Sequence, residues 1–310
     1  MTNAVNVIIE DSENSTIAGG CNHTILESPS GFVGGGFTNT LNDSAWATSV
    51  GGQCNIISES KCSFIGGGHL NKIYETSYAS SIVGGGTNCI DCSSGSFVGG
   101  GTSNQVKGEG QTYYSSIVGG FDNCISDGYS FIGGGCTNTA SGNCAAIVGG
   151  CGNTASGGFS FVGGGCGAIA SGGWSVASGR NSTASGYTSI VAGGLNGYAN
   201  GPYGTVSGGY AGQALGCFSA VGGGYQNRAC GFASTVSGGY QNCASANYSN
   251  IGAGSSNLSS GVRSTISGGH SNTASGACST IGGGCANTAS GAYATIGGGR
   301  THTVNGAWAT

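Results

Sequence analysis

The chain has 310 residues, of which 69 are glycine and 2 are proline, and only 6% are charged, with a formal net charge of −4. Glycine does not recur at every third position, which excludes a collagen triple helix. Regularly placed β-branched residues argue against a disordered glycine-rich chain, and no stretch is long and apolar enough to predict a membrane span.

The first thirteen residues fall outside the pattern that fills the rest of the chain. They contain the segment NAVNVIIE and a cluster of acidic residues, so we predict that residues 1–13 form a cap segment. The N-terminus MTNAVNVIIEDSENST has no basic region followed by a sustained apolar run, which predicts that the chain carries no secretion signal.

From residue 14 onward one glycine position recurs throughout the chain. Its spacing is 15 residues after Gly120, with one step of 14 between Gly165 and Gly179, and 15 to 19 residues before Gly120. Such a short period predicts one supersecondary unit per repeat. We therefore expect irregular coils over residues 14–119 and regular coils over residues 120–310. The marker glycines are Gly20, Gly36, Gly52, Gly68, Gly86, Gly101, Gly120, Gly135, Gly150, Gly165, Gly179, Gly194, Gly209, Gly224, Gly239, Gly254, Gly269, Gly284 and Gly299.

Each repeat carries a β-branched residue three places before the marker, as in the segment TIGGGCANTASGAYAT. This residue is Ile or Val in all repeats but that of Ser49, and Val83 and Val176 are among its members. A small residue two places earlier shares its face of a short strand. Asparagine recurs three places after the marker, followed by a second short strand and a Ser-Gly corner.

The repeat predicts an all-β parallel β-solenoid, or β-roll, of about 19 coils with a 15-residue repeat. Neighbouring coils would lie about 4.8 Å apart, and the asparagine amides would form hydrogen bonds along the stack. One branched residue and a few small ones per coil make a thin core. We therefore expect a homotrimer, in which association through the branched row supplies the missing burial.

Segments such as GGGCANTASGAYATIGGG and SGGHSNTASGACSTIGGG resemble the head repeats of trimeric autotransporter adhesins, the YadA-type left-handed parallel β-roll. Similar repeats occur in fibre-like proteins of phages and large DNA viruses. The resemblance covers about residues 14–310. It implies a homotrimeric surface or fibre protein. The sequence departs from the bacterial adhesins in that no signal peptide, coiled-coil stalk or membrane anchor is expected in it.

Two rows of aromatic residues form the candidate contact surface. One row lies nine places after the marker and the other directly after it, and both are explained either by binding of a glycan or protein or by packing within the assembly. The first row comprises Tyr129, Phe159, Trp174, Tyr203, Phe218, Tyr248, Tyr293 and Trp308, and the second Tyr210, Tyr225 and Tyr240.

The fifteen cysteines follow the repeat, and their number is odd. We interpret them as free thiols in a reducing compartment, with Cys136, Cys151 and Cys166 stacked in one inert row. The single Cys-x-x-Cys, Cys89 to Cys92, lacks the second pair that a structural zinc site requires. The sequence thus predicts no metal and no cofactor.

The charged residues are unevenly distributed. All eleven acidic residues precede residue 128, whereas the remainder holds Arg180, Arg228, Arg263 and Arg300 and no acid. The histidines are far apart along the repeats, and no Ser-His-Asp set or carboxylate pair is suggested. We therefore expect no enzyme activity.

The sequence favours a structural fibre or spike protein of a virus or phage particle, for host attachment or capsid decoration, assembled in the host cytoplasm. Its expected partners are two further copies of itself, other virion or surface proteins at the ends and a host glycan or receptor, without nucleic acid. The alternatives are an ice-binding solenoid, from the threonines four places before the marker, and a fragment of a bacterial surface adhesin. The strand ending at Thr310 is expected to be covered in the working state.

Overall fold

The computed structural model describes residues 6–8 and 11–310, without the side chains of residues 7, 8 and 109–112. The described chain is an all-β parallel β-solenoid of about nineteen turns spaced by about 15 residues, and no helix occurs in it. The predicted fold class is therefore confirmed. The chain divides into two compact units, the N-terminal unit of residues 1–159 and the C-terminal unit of residues 160–310.

Each turn of the N-terminal unit contributes one strand to each of two parallel rows. The row that leads into the glycine corner comprises Thr16–Ile17, Phe32–Val33, Thr48–Ser49, Phe64–Ile65, Ser81–Ile82, Phe97–Val98, Ser116–Ile117, Phe131–Ile132 and Ala146–Ile147. The row that follows the corner comprises Val7–Ile8, Thr24–Leu26, Thr40–Asn42, Ile56–Ser58, Lys72–Tyr74, Cys89–Ser94, Gln105–Tyr113, Cys124–Ile125, Thr139–Ala140 and Thr154–Ala155.

The C-terminal unit repeats the arrangement with strands that are mostly two residues long. Its leading row comprises Phe161–Cys166, Val176–Arg180, Ile190–Val191, Thr205–Val206, Ala220–Val221, Thr235–Val236, Asn250–Ile251, Thr265–Ile266, Thr280–Ile281 and Thr295–Ile296. Its following row comprises Ile169–Ala170, Thr183–Ala184, Tyr198–Ala199, Gln213–Ala214, Arg228–Ala229, Cys243–Ala244, Leu258–Ser259, Thr273–Ala274, Thr288–Ala289 and Thr303–Val304.

The core lies inside the coils of the single chain. In the turn around Ile281, the side chains of Ser279, Ile281, Asn287 and Ala289 are all fully buried, whereas Thr280 between them is half-buried. This alternation is the period of two that a strand imposes. The branched row is therefore internal to each chain, so the expectation that it mediates association between chains is wrong.

A second apolar column thickens the core of the N-terminal unit. The strands after the corner bury large aliphatic side chains there, and alanine takes over from Ala140 onward. Two facing aliphatic columns bury more apolar area than the single row that the sequence indicated. The buried members are Ile25, Leu41, Ile57, Ile73, Ile90, Val106 and Ile125.

Two members of the predicted branched row are corrected by the register. Ile82, not Val83, pairs with Ile65 and Val98 in the core, and Val83 is exposed, so the corner glycine of that turn is Gly85 and not Gly86. In the 14-residue turn, Ala177 fills the core slot between Val162 and Val191, because a β-bulge follows Val162. Val176 consequently lies one position away from that slot.

The recurring asparagines form hydrogen bonds along the stack, as predicted, but mainly with the backbone. The Oδ1 atom of Asn272 accepts from the backbone N–H of Asn287 at 3.0 Å, and its Nδ2 donates to the carbonyls of Gly268 at 3.1 Å and Gly284 at 3.0 Å. In part of the N-terminal unit the asparagine amides also bond directly to each other, as from Asn123 Nδ2 to Asn104 Oδ1 at 3.0 Å. The amide ladder therefore ties each turn to the next.

The amide ladder begins earlier than the sequence suggested. Asn6 accepts from the His23 N–H at 3.1 Å, and Val7–Ile8 pairs in parallel with Thr24 and Ile25. His23 then takes an asparagine slot, its Nδ1 accepting from the Asn39 N–H at 3.1 Å. Residues 6–8 thus continue the solenoid pattern. The other residues of the NAVNVIIE segment, including Glu10, lie outside the described part of the chain.

The division of the chain into compact units falls between residues 159 and 160, whereas the spacing changes from irregular to regular at residues 119–120. The division into an irregular and a regular segment concerns turn length alone and stays a prediction. In the part of the chain that the structure describes, no helix is long and apolar enough to cross a membrane.

Candidate contact surface

The first predicted aromatic row occupies a turn position with an unusual backbone. At this position φ lies near +58°, as in Tyr203 at 58° and Trp308 at 62°, and the residue is exposed. The left-handed conformation lets the N–H donate to a carbonyl of the preceding coil, as from Tyr293 to Ala277 at 2.8 Å. The side chain then projects outward from the second corner of the coil.

Three members of this row and two neighbouring exposed rings make an unbroken series in the C-terminal unit, which we call the aromatic ridge: Tyr187, Tyr203, Phe218, Phe232 and Tyr248. Tyr203 and Phe218 are stacked at 4.8 Å between ring centroids, and the other neighbours meet edge to face at 5.4 to 6.0 Å. The Arg263 guanidinium lies 5.6 Å from the Tyr248 ring centroid and extends the series by a cation–π contact.

Sequence reasoning missed Tyr187 and Phe232, which sit one place before the aromatic position. In those two turns the position itself is occupied by Thr188 and Ala233. The turn brings the preceding ring into the gap, so the ridge stays continuous. An aromatic residue immediately before a small one at this position is the signal that could have identified both.

The remaining residues of the first row form smaller groups. Tyr129 is 5.9 Å from Tyr114 between ring centroids, and Tyr293 is stacked on Trp308 at 4.0 Å with an interplanar angle of 8°. Phe159 and Trp174 are both exposed and belong to different compact units. The predicted row is therefore exposed throughout, but its rings meet in separate groups.

The second row forms a tyrosine ladder of Tyr210, Tyr225 and Tyr240. Successive rings are nearly parallel, at 4.8 and 4.9 Å between centroids, and the three residues are joined by parallel β-bridges. Because the ring faces cover one another, the ladder presents ring edges and hydroxyl groups rather than open faces. Stacking accounts for this arrangement without a ligand.

The cysteine motif does not form a paired-thiol site. Cys92 donates to the Glu75 carboxylate at 3.3 Å, and Glu75, Asp91 and Cys92 place one ligand atom each within 4.8 Å of one another. Cys89 lies in the same strand as Cys92, three residues earlier, and its hydrogen-bond partner is Tyr74. Among the described residues, the group that could hold a cation is that of Glu75, Asp91 and Cys92.

The surroundings keep the Cys92 thiol and the neighbouring Tyr74 hydroxyl protonated. Burial, with the nearby Glu75 and Asp91 carboxylates, raises the pKa of Cys92 to about 11, and burial with the Cys89 thiol raises the pKa of Tyr74 to about 12. A metal would have to displace the thiol proton, because the thiolate is the ligand. The thiol–carboxylate hydrogen bond therefore accounts for the cluster without a cation.

None of the fifteen cysteines is in a disulfide, and all of them lie within the described residues. Cys136 and Cys151 are bridge partners in neighbouring coils, as the predicted thiol row requires. Cys166 belongs to the C-terminal unit, where it pairs with Arg180.

No protein-family model matches the chain, and no curated protein matches it.

Proposed function

We propose that this chain is a structural fibre-type protein that acts through its outer surface, and that the aromatic ridge is its contact surface. The observation that carries the proposal is the ridge itself: five large rings, each about half exposed or less, meet in an ordered series on one corner. Contiguous exposed apolar surface of this kind marks an interaction site.

The occupant of the ridge is a second copy of the chain in a homotrimer. The branched row is already buried within each chain, so it gives no reason for association. The support for a trimer is the exposed ridge together with the resemblance of the repeat to trimeric adhesin heads. A closed threefold arrangement would cover the ridge of every subunit by the same contact. Display on a virus or phage particle, with other surface proteins at the ends and a host receptor, is the biological setting that we propose.

Ice binding is the second candidate. Thr265, Thr280 and Thr295 are paired in register on consecutive strands and point outward. In the preceding strands Asn250 and Ala220 occupy the same column, so the threonine row is short. A fragment of a bacterial surface adhesin is the third candidate, and it shares the trimer with the first.

Sedimentation equilibrium of the full chain tests the proposal, since each chain has a mass of 29.8 kDa. We expect a trimer, and we expect the double substitution Tyr203→Thr and Phe218→Thr to produce monomers. Threonine suits this position because Thr188 adopts the same backbone conformation there. Tyr225→Thr, in the tyrosine ladder, is the matched control and should leave the trimer intact.

A wild-type monomer would contradict the trimer, and a trimer that survives the double substitution would exclude the ridge as its interface. Thermal hysteresis by a monomeric protein would establish the ice-binding alternative instead.

A further inference from the structure

Two thiols and a guanidinium meet on the outer face of the C-terminal unit. Arg228 and Cys230 are two residues apart, so their side chains share that face, and Arg228 pairs across the sheet with Cys243. The Cys230 N–H donates to the carbonyl of Ala244 at 2.9 Å, which sets Cys230 opposite Ser245 and diagonal to Cys243 in the next coil. The two thiols are near enough to shift each other's pKa in opposite directions.

This arrangement favours the thiolate at Cys230. The hydrogen bond from Cys243, together with the Arg228 guanidinium, lowers the pKa of Cys230 to about 6, and the same contact raises the pKa of Cys243. The other residues that face Cys230 are Leu215 in the coil before and Ser245 in the coil after, and neither titrates. Arg228 and Cys243 are therefore the groups that set its charge.

Arg228 also lines a polar groove of about 300 Å³, and neither cysteine is part of the groove's lining. Its other lining residues are Ala211, Gln213, Gln226 and Gln241, and the amide of Gln241 donates to Gln226 at 2.9 Å. Amide side chains offer both donors and acceptors, and a guanidinium binds carboxylates. The groove therefore suits a peptide-like molecule that carries a carboxylate.

The charge of the whole C-terminal unit favours an anion at this place. Residues 160–310 contain four arginines and no Asp, Glu or Lys. No acidic side chain of this unit competes for Arg228, so an approaching anion meets no negatively charged side chain of the unit.

We propose that Cys230 is an S-thiolation site for a small anionic peptide disulfide of the glutathione disulfide type, bound through Arg228 and the glutamine-lined groove. The Cys230 thiolate attacks one sulfur of the disulfide, a bond forms between the two sulfurs, and the disulfide bond of the reagent breaks. The departing glutathione thiolate takes a proton from water. The reagent is the oxidant, and Cys230 ends as a mixed disulfide.

The site does not suit a thiophilic metal, because Arg228 places a positive charge beside both sulfur atoms. It also differs from the row of Cys136 and Cys151, whose thiols face each other across neighbouring coils. Cys230 has the Cys243 thiol and the Arg228 guanidinium near it, and Arg228 also lines the groove.

The test exposes the reduced full-length chain to glutathione disulfide at pH 6.5 and maps the modified cysteines by mass spectrometry over time. We expect Cys230 to react first, at about ten times the rate of Cys217 and Cys285 or faster, because the thiolate is the attacking species and the lowered pKa leaves more of Cys230 ionised at pH 6.5. The neutral 2-hydroxyethyl disulfide serves as the second probe, and Cys230 should react with it more slowly.

The matched variants are Arg228→Gln and Arg228→Lys. Glutamine occupies the same column at position 213, so the first variant is expected to fold, and its melting curve checks this. Arg228→Gln should slow Cys230 and abolish its preference for the anionic probe, whereas Arg228→Lys should retain most of both. First reaction at another cysteine, or equal rates with the two disulfides in the wild type, would overturn the proposal.

Discussion

Two neighbouring glycines in each corner differ in what they tolerate. Gly284 has φ of +91°, and a Cβ atom there would collide with the carbonyl oxygen of Gly299 in the next coil. Gly283 has no heavy atom within 4 Å of the position that its Cβ would take. Gly284 must therefore stay glycine because the next coil lies against it, whereas Gly283 has room for a side chain.

We predict that Gly284→Ala lowers the free energy of unfolding by about 2–4 kcal/mol, because the residue must leave its favoured backbone region and displace a strand neighbour. Gly283→Ala is the control and should change it by less than about 1 kcal/mol. Urea titration followed by circular dichroism measures both. Equal losses in the two variants would show that the close approach to Gly299 does not matter.

The sequence was sufficient to assign most residues to their slots, since each slot repeats the same environment. It was insufficient where three glycines are consecutive, because Gly84, Gly85 and Gly86 offered several registers and only the buried side of Ile82 decides between them. The partners of the asparagine amides were equally hidden. Backbone carbonyls exist at every residue, so residue identity could not show which of them the amides bind.

At the scale of the element, the amide ladder holds the corner of one turn against the next. Asn272 is completely buried, and removing its side chain would leave the Asn287 N–H without its acceptor and the Gly268 carbonyl without the amide donor. An unsatisfied buried polar group costs about 1–3 kcal/mol. The ladder thus supplies buried hydrogen bonds between turns in addition to those of the two-residue strands.

We predict that Asn272→Ala lowers the free energy of unfolding by about 2–4 kcal/mol through these lost partners. Asn250→Ala is the matched control: it lies on the outer face in the same column as Ala220, and its loss should amount to less than about 0.5 kcal/mol. Chemical unfolding of both proteins gives the comparison. Similar values for the two would mean that the ladder contributes nothing beyond the backbone pairing.

The aromatic ridge could be predicted only in part from the sequence. Residue spacing placed Tyr203, Phe218 and Tyr248 in one row, but it could not place Phe232, which reaches the row from the neighbouring position. Only the left-handed turn, where Ala233 has φ of 49°, aims the preceding ring at Phe218. Ring contacts at a corner depend on backbone angles that a repeat count does not contain.

For the whole molecule, the free thiols remain a prediction about its environment. The positions of the fifteen cysteines follow the repeat, and none is paired in the structure. We expect thiol titration of the denatured protein, purified without reductant, to find most of the fifteen free. A result of one free thiol per chain would instead indicate an oxidising compartment.

The amide ladder also gives the C-terminal unit a direction. From Asn227 to Asn287 every Oδ1 atom of the ladder accepts from the coil that follows it in sequence, and none accepts from the coil before. The two faces of such a stack are chemically unlike. Each ladder asparagine offers the next coil both an Oδ1 acceptor and an Nδ2 donor, and their partners are a backbone N–H and a glycine carbonyl of that coil. A coil that is added in the register of the solenoid therefore docks tail to head. Such a contact is heterologous: it joins two unlike faces, so it adds coils in one direction and does not form a twofold-symmetric pair.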